Sequence, residues 1–101
     1  MNDALMKNYE KTFMKEVAVI HAPFEEAPHT VAFVEVPAHL CDEEMCEIAF
    51  KKTNTIEEVW WENKGVTYVG PEKTCRSTST GDYVLIGTRK YKCAFTGWEL
   101  V

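Results

Sequence analysis

The apolar positions change period along the chain, and the changes mark its elements. Near the N-terminus Leu5, Met6, Tyr9, Phe13 and Val17 recur at near-helical spacing, with Lys7, Lys11 and Lys15 on another face. This predicts an amphipathic helix over 1–16, peripheral to the rest of the chain. Val17, Ala18, Val19 and Ile20 then form an apolar run inside a strand from Glu16 to Ala22, stopped by Pro23. After the Glu25-Glu26-Ala27-Pro28 loop, Val31, Phe33 and Glu35 alternate with Ala32, Val34 and Val36. That alternation predicts a second strand, His29 to Val36, ended by Pro37 because proline has no N–H for the ladder. So short a connection pairs the two strands antiparallel.

Helical spacing returns after Asp42, the expected N-cap of a helix from Glu43 to about Lys52. Glu43 and Glu44 in the first turn and Lys51 and Lys52 in the last suit the helix dipole at both ends. Met45, Ile48 and Ala49 form its inward stripe, with Phe50 or Cys46 at the edge. Thr53-Asn54-Thr55 terminates it, and Ile56 to Glu62 fits one more helical turn or a short strand. Trp60 and Trp61 are adjacent, so they face different ways in either case and one indole is expected at the surface. That makes Trp60 and Trp61 candidate interface residues. Asn63-Lys64-Gly65 reads as a turn, Val66 to Val69 as a short strand, and Gly70-Pro71-Glu72-Lys73 as an exposed loop.

The C-terminal part reads as a meander: Tyr83 to Ile86, a Gly87-Thr88-Arg89-Lys90 connection, Tyr91 to Phe95, and a last short strand, Trp98 to Val101. The expected fold is α+β, a small mostly antiparallel sheet with one or two helices, in a single domain over 1–101. Ahead of the meander lies the most particular polar stretch, Cys75-Arg76-Ser77-Thr78-Ser79-Thr80-Gly81-Asp82. Arg76, Ser77, Thr78, Ser79 and Asp82 are candidate ligand-binding residues, with Arg76 forking onto a phosphate and the hydroxyls around it. The competing reading pairs Arg76 with Asp82 and spends the hydroxyls on the backbone of a turn. The stretch lacks the glycines and lysine of a P-loop.

Arg76-Ser77-Thr78-Ser79-x-Gly81-Asp82, the strand and hairpin that follow, and Gly97-Trp98 resemble small uncharacterised proteins of phages and mobile elements. Thr53-Asn54-Thr55-Ile56 and Trp60-Trp61-Glu62-Asn63 extend the resemblance over roughly residues 50–101. Thr80 departs from it, standing where such proteins often carry an aliphatic residue. The resemblance implies a phage or bacterial setting and no particular reaction.

Composition narrows the classes. A chain 46% hydrophobic and 12% aromatic can bury a modest core, while no apolar run approaches a membrane span and no signal peptide is visible. A cytoplasmic protein is expected. The net charge of −5 is uneven: −8 over 25–62, from ten acids against Lys51 and Lys52, and +3 over 64–101, from six bases against three acids. That balance argues against a nucleic-acid partner. Cys41, Cys46, Cys75 and Cys93 are expected as reduced thiols, and Cys41-x4-Cys46 lacks zinc-ribbon spacing. A His39/Cys41/Cys46/Cys75 zinc set is the one metal arrangement to check; no metal and no cofactor are expected. His21, His29 and His39 have no partner at a spacing that names a mechanism. A Cys75 or Ser77 nucleophile would need the fold to bring one of them close. The reading is a non-enzymatic accessory protein that binds itself or a protein partner. The alternative is a phosphate-ligand or nucleic-acid-end binder using the Arg76–Asp82 loop.

Overall fold

A computed structural model describes residues 13–54 and 59–101. Six strands form one antiparallel sheet: β1 (Met14–His21), β2 (His29–Pro37), β3 (Val66–Tyr68), β4 (Tyr83–Ile86), β5 (Arg89–Cys93) and β6 (Trp98–Leu100). Their spatial order is β3-β2-β1-β4-β5-β6, so the first strand lies inside the sheet and each edge strand has three residues. One α-helix, α1 (Asp42–Lys52), and a 3₁₀ turn at Trp60–Glu62 complete the architecture. The expected α+β class is what the chain forms, and no helix among the described residues is long and apolar enough to cross a membrane.

Period-2 patterning sets the core. Val17 pairs with Val34 and Val19 with Ala32, and all four are buried on one face of the sheet. On β4, Val84 and Ile86 continue that face. Between Val19 and Ile20 the register shifts, leaving Val31 as an extra residue on β2; the bulge keeps Val31 as well as Ala32 in the core. Helix α1 lies across β1, β2 and β4 and adds Met45, Cys46 and Ala49, and the 3₁₀ turn contributes Trp60.

Several boundaries differ from the sequence reading. Residues 14–16, assigned to an N-terminal helix, are strand: β1 starts at Met14, opposite Pro37. Residues 1–12 of that helix, and the Ile56–Glu58 part of the 56–62 segment, lie outside the described residues. Phe13 and Val17 fit a helical period, yet Val17 and Val19 also fit a strand, and pairing with β2 decides it. The N-cap of α1 is Cys41, with Asp42 already helical. Glu44 accepts the Cys41 backbone N–H at 3.2 Å. The Asp42 carboxylate turns instead to Arg89 (2.6 and 2.9 Å) and to the Tyr91 hydroxyl (2.5 Å). These partners hold Asp42 down at about 2. The β4–β5 hairpin is tighter than expected: Ile86 pairs with Arg89, and Gly87 at φ +60 takes the first position of a two-residue turn. A glycine there with a non-glycine second residue is the II′ pattern, which matches the twist of the strands.

Candidate functional site

The end of β1, the Ala22–Pro28 connection and the loop before β4 meet beside the central strands, and there the Arg76–Asp82 stretch is resolved. Gly81 (φ +97) makes the turn, with Pro23 so close that an added Cβ would sit 3.0 Å from its Cγ. Asp82 is fully buried. Its carboxylate accepts from Arg76 Nη1 (2.7 Å), Arg76 Nη2 (2.8 Å), Ser79 N (2.8 Å) and Ala22 N (3.0 Å). Burial alone would raise this carboxyl; the guanidinium and the two backbone donors outweigh it and hold Asp82 below its ordinary value.

Arg76 is thereby committed. Nη1 also donates to Ser77 O (3.1 Å) and Ser79 Oγ (3.4 Å), Nε reaches Glu25 Oε2 at 3.4 Å, and Phe24 stacks 5.1 Å away. With Asp82 and Glu25 both on it, the guanidinium sits in a local excess of negative charge. Of the other loop residues, Thr78 turns inward and is buried with its hydroxyl on His21, and Ser79 serves the turn. The structure therefore realises the Arg76–Asp82 pairing.

The loop also brings together residues that no short-range spacing announced. His21 is buried, with Nε2 2.9 Å from Thr78 Oγ1 and 3.8 Å from Asp82 Oδ2, and Nδ1 3.6 Å from Cys75 Sγ. Placing the ring hydrogen on Nε2 lets it donate to Thr78 and leaves Nδ1 to accept from the thiol. A cleft of about 340 Å³ opens beside this cluster, walled by Phe24, Glu25, His29, Tyr68, Cys75 and Arg76 among others. The arrangement has the outline of a cysteine–histidine pair, but its charges run the wrong way. Burial lowers His21 and raises Cys75, so imidazole and thiol both rest neutral and no thiolate is supplied.

The two tryptophans divide. Trp60 is 1% exposed and donates its indole N–H to Arg76 O at 3.0 Å, which takes it out of any surface. Trp61 is half-buried, edge-on to Trp60 and tilted against Tyr68, so it is the indole within reach of a partner. The zinc set does not assemble: Cys46 is in the core with its thiol pushed up to about 12 by burial, Cys41 is exposed, and among the described residues no group of three or more His, Cys, Asp or Glu is set to hold a metal.

Opposite the helix, the sheet presents a second face that the sequence reading did not single out. Its rows follow from the register: Thr67, Phe33, Ala18, Leu85 and Lys90 in one, and Thr30, Ile20, Tyr83, Lys92 and Glu99 in the next. Beyond the first row, Glu16 and Glu35 stand directly opposite each other on β1 and β2. Like charges so placed repel. Phe33 is 36% exposed and Met14 39%, while Ile20, Tyr83 and Leu85 are partly exposed. Both helical elements pack on the other face, and no described element covers this one. The basic residues of the hairpin are split by the same register: Arg89 goes to Asp42 beside α1, whereas Lys90 lies on the open face, its Nζ 4.6 Å from the Tyr83 ring. The signal for this face was present in the alternation of β1 and β2; the missing part was the hairpin register that puts Lys90 beside Leu85. No family model matches the chain, and neither the curated proteins nor the solved structures contain a match.

Proposed function

We propose that the chain is a non-enzymatic accessory protein that acts by binding protein, its own copies included, through the open face of the sheet. One observation carries this: a contiguous apolar strip of Phe33, Ala18, Leu85, Ile20 and Tyr83 has a charged margin and no described element over it. The edges of the sheet are poor alternatives, since strands of three residues offer little ladder for another chain to extend. The resemblance of residues 50–101 adds a phage or mobile-element setting to the proposal. Phosphate capture by the Arg76–Asp82 loop has less support, because a ligand anion would have to displace Asp82 and approach Glu25. The neutral His21–Cys75 pair likewise favours a binding role over covalent chemistry.

The test is hydroxyl-radical footprinting in cells against the dilute purified chain. Met14, Phe33 and Tyr83 are expected to be protected in cells relative to Phe24 and Phe95, which lie off this face. Equal oxidation of the face in both samples would sink the proposal.

A further inference from the structure

The cleft beside Cys75 carries chemistry of its own, and we infer that it is a binding site for a primary ammonium group, the end of an alkylamine or of a lysine side chain. It shares no residue with the open face, and its Tyr68 and Cys75 walls pack against the core instead.

The walls are built by specific residues. Gly70 lets the Tyr68 ring fold back against the chain, because a Cβ on Gly70 would stand 2.5, 2.6 and 2.7 Å from Tyr68 Oη, Cζ and Cε1. Tyr68 Oη then donates to Glu72 O at 2.6 Å and ties down the loop that carries the Glu72 carboxylate. Elsewhere in the cleft, His29 Nδ1 lies 3.2 Å from Ala27 O. A carbonyl only accepts, so Nδ1 carries the hydrogen. The neutral imidazole therefore turns the lone pair of Nε2 toward Glu25 Oε1, 3.7 Å away. Two acceptors so placed call for a donor, and one donor atom fits about 2.9 Å from both.

Electrostatics make that donor a cation. Glu25 and Glu72 line the cleft. Arg76, the one permanent cation among the described lining residues, already answers Asp82 at 2.7 and 2.8 Å. Glu25 Oε2 meets Arg76 Nε at 3.4 Å, which leaves Oε1 as the carboxylate oxygen for a guest. An anion would meet both carboxylates. A neutral hydroxyl has a single hydrogen to offer. An ammonium offers three donors, enough for Glu25, His29 and Glu72, and its charge strengthens the bond to each carboxylate. The cleft, about 340 Å³, lies at the small end of ligand sites, which suits a short alkyl chain lying along Tyr68.

The experiment is an NMR titration of the full chain with n-butylammonium chloride at constant ionic strength. It is repeated with Nα-acetyl-lysine N-methylamide, tetramethylammonium chloride and sodium acetate. Saturable shifts at His29, Tyr68 and Cys75 are expected with the two primary ammonium probes. None is expected with tetramethylammonium, which has the charge but no N–H, or with acetate. Glu25→Gln is expected to weaken binding at least about tenfold, the loss of a charge-assisted hydrogen bond. Glu72→Gln, on the exposed loop, is expected to weaken it about threefold, and it stands in for Glu25→Gln should that variant disturb the fold. The tighter of the two primary probes names the source, a free amine or a protein lysine. Equal shifts from tetramethylammonium, saturable shifts with acetate, or binding indifferent to both variants would each overturn the assignment. So would the absence of shifts with either primary ammonium, which would leave Glu25 paired with a protonated His29.

Discussion

Replacing Arg76 by alanine tests the central electrostatic feature. The substitution leaves the Asp82 carboxylate, fully buried, with two backbone N–H donors and no counter-charge. Removing one partner of a buried ion pair costs roughly 3–5 kcal/mol. Arg76 itself is 27% exposed, so water screens its side of the pair and the lower end, about 3 kcal/mol, is the expected loss. For a domain of this size that lowers the melting temperature by roughly 12–24 °C. In urea, at a slope of about 1.5 kcal/mol/M, the midpoint falls by about 2 M with the slope unchanged. Asp82→Ala is expected to lose more, because the Ser79 and Ala22 N–H groups lose their acceptor as well, at roughly 1–3 kcal/mol each. The double variant should then lose less than the sum of the two, since each single change already breaks the same pair. The assay is a set of urea titrations followed by tryptophan fluorescence. A loss below about 1 kcal/mol for Arg76→Ala, the size of an exposed ion pair, would refute the reasoning.

Four further outcomes follow from the same region and from α1. His21 is buried beside Asp82, Arg76, Glu25 and His29, and its folded value lies below the ordinary value of about 6.5. The unfolded chain therefore binds the proton first, and stability falls as pH drops from about 6.5 toward the folded value. An NMR titration placing the His21 midpoint at or above the ordinary value would contradict this. Asp82 acts lower still: its depressed carboxyl contributes stability above about pH 4, lost as pH falls through its folded value. Gly81→Ala forces a side chain into φ +97 against Pro23 and is expected to cost roughly 1–2 kcal/mol by thermal melt, whereas a neutral change would mean that the turn relaxes. With iodoacetamide at pH 7, Cys41 should be labelled first, Cys75 slowly and Cys46 last; peptide mass mapping that shows Cys75 ahead of Cys41 would overturn the neutral-pair reading of His21 and Cys75.

What the sequence made legible was local. Val17 to Ile20, the alternation of β2, the charge order of α1 and the C-terminal meander all signal their elements within ten residues, and all form. The Arg76–Asp82 pairing was legible for the same reason: six residues with Gly81 between them close a turn in only a few ways. Misreadings arose where a local pattern allowed two answers and a distant partner chose. Met14 to Glu16 became strand because Pro37, Val36 and Glu35 lie alongside, and Asp42 left the N-cap because Arg89 and Tyr91 reach it from β5. The rest of the cluster was out of view altogether. His21 meets Thr78 and Cys75, and Glu25 meets Arg76, across more than fifty residues, with no spacing rule to announce the encounter. Likewise the place of Lys90 on the open face depends on one register, Leu85 with Lys90, set by the two-residue hairpin.

The position of β1 has a consequence for how the chain is made. It is the first described strand, yet it lies between β2 and β4, and Ala22 at its end joins Asp82 sixty residues further on. During synthesis β1, β2, α1 and β3 emerge together, while the far edge of β1, next to Val17 and Val19, stays unpaired until Tyr83–Ile86 arrives. Until then the chain presents an apolar, ladder-ready edge. The β4–β5–β6 meander that closes this edge is contiguous and follows an exposed loop at Pro71–Thr74. It is the last piece to join the sheet, and a cut at that loop is expected to leave the β1 edge open until the C-terminal fragment is added back.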